Sequence, residues 1–201
     1  MALLSLFENN YEKTLVWVLI GVFLDSFDGL LARAFRATTD IGKQLDSLCD
    51  VISFGVVPGY FMFKYLSGFL SYELVPLSLL AFVVTLASIF RLARFNITPS
   101  SQLDFQGLPT PAFALFVIGI PFIPWEINPI IITVIVAFLT VLMVSKIMLP
   151  SQKFVNGKPS NFFWIFTVVS IPVLLILRSQ ALSLTVLAYA IFGMLYMRIK
   201  G

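Results

Sequence analysis

The apolar positions of this chain fall into long blocks, and the polar positions gather in the gaps between them. Seven blocks stand out, near Thr14–Arg33, Gly42–Leu66, Leu74–Arg94, Pro109–Pro124, Pro129–Leu149, Asn161–Leu177 and Ala181–Met197. A bilayer core is crossed by about 20 apolar helical residues, with a range of about 17–25. Each block therefore predicts a membrane-crossing helix, the fourth and sixth being short. The gaps are brief, as antiparallel neighbours require. The longest, Phe95–Leu108 and Pro150–Ser160, are rich in Pro, Ser, Gly, Asn and Gln and predict irregular structure. The expected fold is all-α: a polytopic transmembrane helical bundle of about seven spans, forming a single domain over residues 1–201.

Composition agrees with the pattern. Of 201 residues, 59% are apolar and only 11% charged, whereas a soluble domain carries about 25% charged residues. So few charges cannot cover a water-facing surface. There is no histidine, which excludes a Ser-His-Asp triad and His-based zinc sites. The single cysteine, Cys49, excludes an internal disulfide. It lies between two acids but off their face, and is expected to serve packing. The opening MALLSLFE has no basic segment or small-residue cleavage site, so it does not read as a signal peptide.

The charges that remain are placed unevenly. If the loop after the first span is cytoplasmic, Arg33, Arg36, Lys43, Arg91, Arg94, Lys146, Lys153, Lys158, Arg198 and Lys200 share that face, ten of the 13 basic residues. Lys13, Lys64 and Arg178 lie opposite. The bias predicts an outside N-terminus and a cytoplasmic C-terminus.

One stretch carries candidate chemistry. Asp25 and Asp28 are three apart on the first predicted helix, and Asp46 and Asp50 four apart on the second, so each pair shares a face. Both pairs flank one short loop, so four carboxylates are expected to converge at the cytoplasmic ends of adjacent helices. Unpaired acids there would be costly, and Arg33 and Lys43 are too few to neutralise them. Oxygen ligands without His or Cys suit hard divalent ions, Mg²⁺ or Mn²⁺, expected as a pair. Gly29, Ala32 and Gly42 add room for a base or phosphate, and Gly42 opens a helix whose N–H groups suit an anion. Carboxylates, ions, small residues and an arginine together describe a pyrophosphate site.

At these residues the sequence closely resembles the CDP-alcohol phosphatidyltransferase family. Asp25-Ser26-Phe27-Asp28-Gly29-Leu30-Leu31-Ala32-Arg33, the eight-residue spacer Ala34–Ile41, then Gly42, Asp46 and Asp50 meet every fixed position of its signature. The resemblance implies transfer of a phosphatidyl group from a CDP-linked lipid to an alcohol, releasing CMP. It implies that Asp25, Asp28, Asp46 and Asp50 bind two divalent ions and that Asp50 is the general base. It also implies contact of Gly29, Arg33 and Thr39 with the CDP-lipid, Ala32 and Gly42 giving it room. The segments Leu45–Ser47, Asp50–Pro58, Arg91–Asn96, Phe105–Ala112 and Leu142–Lys146 resemble the serine-using branch of the family. CDP-diacylglycerol, or its ether-lipid analogue, and L-serine are therefore the expected substrates, and a homodimer the expected assembly. The family usually has a further membrane helix before the first aspartate. MALLSLFE resembles the tail of such a helix, so a truncated N-terminus or a late-assigned start is expected.

Other residues extend the site. Arg91 or Arg94 is expected to hold serine's carboxylate bidentately, with Asn96 beside them in the same stretch. Lys43 and Lys146 are candidates for phosphate contacts. Gly55 and Gly59 form a small-residue pair that suits close helix packing, in the fold or in a dimer. Two other readings stand beside serine transfer. One is another acceptor, glycerol phosphate or inositol. The other is a cation transporter, which clustering of the acids at one membrane face disfavours.

Overall fold

Two asparagines set the first helical corner. The computed structural model describes residues 1–34, 39–97, 105–149, 154–155, 158–159 and 180–200. Helix α1 (Ala2–Phe7) ends where Asn9 turns left-handed, φ 59°, a conformation asparagine tolerates better than most residues. Asn10 then caps helix α2 (Tyr11–Ala34): its side chain accepts the Lys13 N–H at 3.0 Å, and its carbonyl accepts the Thr14 hydroxyl at 2.9 Å. This cap starts α2 before the first apolar block begins. Lys64 closes the corner from another helix. Its ammonium donates to the Leu6 carbonyl at 2.8 Å and to Asn9 Oδ1 at 2.6 Å, a cation at the negative end of α1.

The chain divides into two compact units, Met1–Thr98 and Pro99–Gly201. In the first, the second apolar block is one continuous helical rod with three geometries. Helix α3 (Asp40–Asp50) passes into a π-helical segment (Val51–Val56), then into α4 (Val57–Phe69). Pro58 lies just after the π segment, on α4; having no N–H, it cannot donate to the preceding turn. The third block begins as a 3-10 segment (Tyr72–Phe82) containing Pro76 and continues as α5 (Val83–Ile97). The 3-10 segment packs against α4, and α5 packs against the π segment.

Glycines decide how closely α5 approaches. A Cβ on Gly55 would lie 3.0 Å from Ser88 Cβ, and one on Gly59 would collide with Thr85 Oγ1. Thr85 also donates its hydroxyl to the Gly55 carbonyl at 3.0 Å. The glycine pair thus serves packing within the chain, against α5. Gly59→Val is expected to displace Thr85 and lower stability by about 1–3 kcal/mol, the usual cost of overpacking. Unfolding in detergent measures this, and Gly59→Ala with Thr85→Ala should be more stable than Gly59→Ala alone. An unchanged melting temperature in Gly59→Val would remove the close approach as its cause.

The second unit holds α6 (Thr110–Gly119), a short 3-10 turn (Ile120–Phe122), α7 (Pro129–Val144) and α8 (Ala181–Lys200). Ser183 of α8 donates to the Phe116 carbonyl at 2.8 Å, beside Gly119, where a Cβ would lie 2.5 Å from Ser183 Oγ. Among the described residues two short antiparallel ladders occur: β1 (Phe105–Gln106) with β2 (Met148–Leu149), and β3 (Phe154–Val155) with β4 (Lys158–Pro159). The described residues are thus mostly helical; β1, β3 and β4 lie in the gaps where the sequence predicts irregular chain, and β2 falls at the end of the fifth apolar block.

Among the described residues, three helical runs are long and apolar enough to cross a membrane: Gln44–Phe69, Leu74–Ile97 and Ala181–Arg198. Thr110–Phe122 and Pro129–Val144 are apolar but shorter. The fifth block ends early because Ser145 becomes extended, and its hydroxyl binds the Leu142 carbonyl at 2.8 Å. Residues 148–149 then pair as a strand rather than prolonging α7. The sixth block, Asn161–Leu177, lies outside the described residues. Apolar side chains such as Ile130, Val134, Phe138 and Val141 point outward along α7, the arrangement expected of lipid-facing surface. The chain is a membrane protein.

Candidate active site

The candidate site lies in the first unit, where α3 and α5 pack together and α2 reaches the π segment. α2 approaches the π segment at Gly21, where a Cβ would lie 3.8 Å from the Phe54 ring. Phe54 is 1% exposed and anchors this crossing. Asp25 lies one turn beyond Gly21 on α2, and Asp50 one turn before Phe54 on the rod. Each is half-buried, and Asp46, one turn earlier on α3, is exposed.

The sequence of α3 separates two faces. Ile41, Leu45, Leu48 and Ile52 recur at intervals of three and four and are all exposed. Asp46 and Asp50 lie on the other side of the helix. An apolar stripe opposite an acidic one suits a helix at the membrane boundary, with lipid on one side and a polar site on the other. Cys49, expected to pack, is exposed instead.

Thr39 caps α3. It is extended, and its hydroxyl accepts the Gly42 N–H at 3.0 Å. A Cβ at Gly42 would come within 3.0 Å of that hydroxyl. Gly42 therefore makes room for the cap, and its N–H serves Thr39 rather than standing open to an anion. Asp28, Gly29, Ala32 and Arg33 lie within α2 and Lys43 within α3, but their side chains are outside the described residues.

From α5 come the basic residues. Arg91 is only 9% exposed, and Arg94 lies in the last turn with its guanidinium 5.4 Å from the Phe90 ring centre. Such stacking suits the planar guanidinium. Asn96 has a partner that sequence inspection missed: its Nδ2 donates to Ser47 Oγ at 2.9 Å, joining α5 to α3. Lys146 belongs to the second unit, exposed just past the end of α7. Asp25, Asp46, Asp50, Arg91 and Arg94 all have interaction partners.

Among the described residues, no three potential ligands gather closely enough to hold a metal ion. The Asp28 side chain lies outside the described residues. The donor set itself, carboxylate oxygens without nitrogen or sulfur, has the chemistry that Mg²⁺ or Mn²⁺ requires.

Residues 1–145 match the family described as CDP-alcohol phosphatidyltransferase. The chain belongs to that family. It is thereby a phosphotransferase of phospholipid biosynthesis, and its signature runs through α2 and α3. The chain is 33% identical over 153 residues to a CDP-diacylglycerol–serine O-phosphatidyltransferase of Bacillus subtilis, covering 76% of this chain and 83% of that protein. It is 33% identical over 194 residues to a protein of the same name from Methanocaldococcus jannaschii, covering 96% and 86%. An archaetidylserine synthase of Methanothermobacter thermautotrophicus is 33% identical over 118 residues, covering 57% of this chain and 48% of its own length.

Proposed function

We propose that this phosphatidyltransferase moves a phosphatidyl group from CDP-diacylglycerol to the hydroxyl of L-serine, giving phosphatidylserine and CMP. The observation that carries the acceptor is the Methanocaldococcus jannaschii relative, named for serine transfer and aligned over 96% of this chain. The archaetidylserine synthase relative favours a second form of the same reaction, on an ether-lipid analogue.

Asp50 takes the proton from serine's hydroxyl, and the oxygen then attacks the phosphorus attached to the lipid. A new P–O bond forms, the pyrophosphate bond breaks, and CMP leaves with the electron pair. Asp25, Asp28, Asp46 and Asp50 would hold two Mg²⁺ or Mn²⁺ ions, which when bound neutralise the pyrophosphate and its developing charge. Gly29, Arg33 and Thr39 face the CDP-lipid, with Ala32 and Gly42 leaving it room. Arg91 or Arg94 receives serine's carboxylate, and Lys43 assists with phosphates. The acyl chains stay in lipid while cytidine and serine arrive from the cytoplasm. This reading includes a cytoplasmic C-terminus, one catalytic domain spanning the chain, and a homodimer.

The deciding assay is CMP release by the purified protein with Mg²⁺ or Mn²⁺ and a panel of alcohols. Serine is expected to be the acceptor, with EDTA stopping turnover and either ion restoring it. Turnover with glycerol 3-phosphate or inositol, and not serine, would assign another acceptor. Metal flux into liposomes without a lipid product would favour transport.

A further inference from the structure

The tie between Ser47 and Asn96 joins residues 49 apart in sequence. Ser47 lies between two of the signature acids: it follows Asp46 directly and precedes Asp50 by less than one turn. Asn96 closes a stripe on α5 that begins with Thr85, Ser88 and Leu92 at intervals of three and four. Thr85 meets Gly59 on α4, and Ser88 meets Gly55 near the end of the π segment. Asn96 meets Ser47, upstream of it. The glycine contacts hold the rod from the end of the π segment into α4, while the acids sit on α3, before that segment. Ser47 and Asn96 are both half-buried, and the amide donates to the hydroxyl at 2.9 Å, with a longer 3.3 Å approach of the hydroxyl to Oδ1.

We propose that Ser47 and Asn96 are a pair of positioning residues that fixes the roll of α3 about its axis, and so aims Asp46 and Asp50. Asn96 then acts through Ser47 and does not touch serine. The inference rests on the reading of Asp46 and Asp50 as the acids of phosphatidyl transfer. Small rotations matter because misplacing a reacting group by about 1 Å can cost up to about 10²-fold in rate.

The test is a double-mutant cycle of Ser47→Ala and Asn96→Ala, with Ser47→Thr as the variant that keeps the hydroxyl. Outer partners of metal-binding carboxylates typically contribute about 10–100-fold. Each single variant is expected to lower kcat by about tenfold, at the low end of that range. The serine KM and the melting temperature should change little. The double variant should be no worse than either single one, and Ser47→Thr should retain most activity. Mn²⁺ binding to the purified protein, followed by electron paramagnetic resonance, should weaken in both single variants. Three results would overturn the proposal. One is a serine KM raised by Asn96→Ala alone, which would make Asn96 a substrate ligand. Another is multiplicative loss in the double variant. The third is a lowered melting temperature with unchanged kcat and Mn²⁺ binding. If the parent protein uses another alcohol, the serine reading fails. The same kcat and Mn²⁺ pattern, measured with that alcohol, still decides the pair.

Discussion

Asp50→Asn is expected to lower CMP release by about 10²–10⁴-fold, the contribution of a positioned general base, while leaving the helical fold intact. The substitution keeps shape and removes the charge that accepts serine's proton. Asp50 is half-buried at the junction of α3 and the π segment, so an amide there still reaches solvent for its hydrogen bonds. The crossing beside it is held by Phe54 against α2 and by Gly55 and Gly59 against α5, none of which depends on the carboxylate. Melting in detergent should therefore stay near that of the parent protein. Activity within a few-fold of the parent would sink the base assignment. A large fall in melting temperature alongside lost activity would make Asp50 a structural acid instead. Asp46→Asn provides the comparison, because it removes a proposed ion ligand without removing the base.

The second large effect lies in the other unit. Gly107 has φ +72°, and a Cβ there would collide with the carbonyl oxygen of Met143 and lie 2.9 Å from that of Leu142. The obstacles are backbone atoms at the end of α7, which cannot rotate aside. Neighbouring bonds fix the turn: the Gly107 N–H donates to the Ile147 carbonyl at 2.9 Å, and Leu108, fully buried, follows it. Gly107→Ala adds a left-handed penalty to overpacking, for an expected loss of about 2–5 kcal/mol. Thermal unfolding of the detergent-solubilised protein measures it. Gly107→Asn separates the two causes, since asparagine tolerates the φ but still carries a Cβ. It should remain nearly as unstable as Gly107→Ala. Full recovery in Gly107→Asn would assign the cost to φ alone, and normal stability of Gly107→Ala would remove both.

What the sequence reveals depends on how local the cause is. The apolar blocks recover most helices because burial in lipid needs only a run of apolar residues. They do not recover the π segment, since Val51–Val56 is equally apolar in any helical geometry. The stop of α7 at Val144 depends on one serine turning extended and binding a carbonyl, a choice that hydropathy does not register. Gly55 and Gly59 announce close packing, but not that Thr85 and Ser88 are their partners. Lys64 is legible as an outward-side cation, yet its bond to the Leu6 carbonyl spans 58 residues. The acids of the candidate site stand out by spacing alone. The Ser47–Asn96 tie has no such signal, because its members are ordinary polar residues on helices whose pairing only the fold decides. Phe105–Ala112, which resembles the serine-using branch, contains a glycine whose conformation and contacts give it a purely structural reason to be there.

The π segment has a consequence for how the rod could vary. In an unbroken α-helix, residues eight apart, such as Ser47 and Gly55, point roughly 80° away from each other. A π turn holds more residues and so advances fewer degrees per residue. Across Val51–Val56 this delay swings Gly55 back toward the face of Ser47, so one straight partner, α5, can touch both. The segment behaves as a phase shifter between the acid-bearing half of the rod and its packing half. Deleting one residue while the segment became an ordinary α-helix would leave Ser47 and Gly55 seven apart and roughly 20° from alignment, but making it an ordinary α-helix at full length would put the two halves out of step. Either the glycines would lose α5 or the carboxylates would turn from their site, although every one of those residues would still be present.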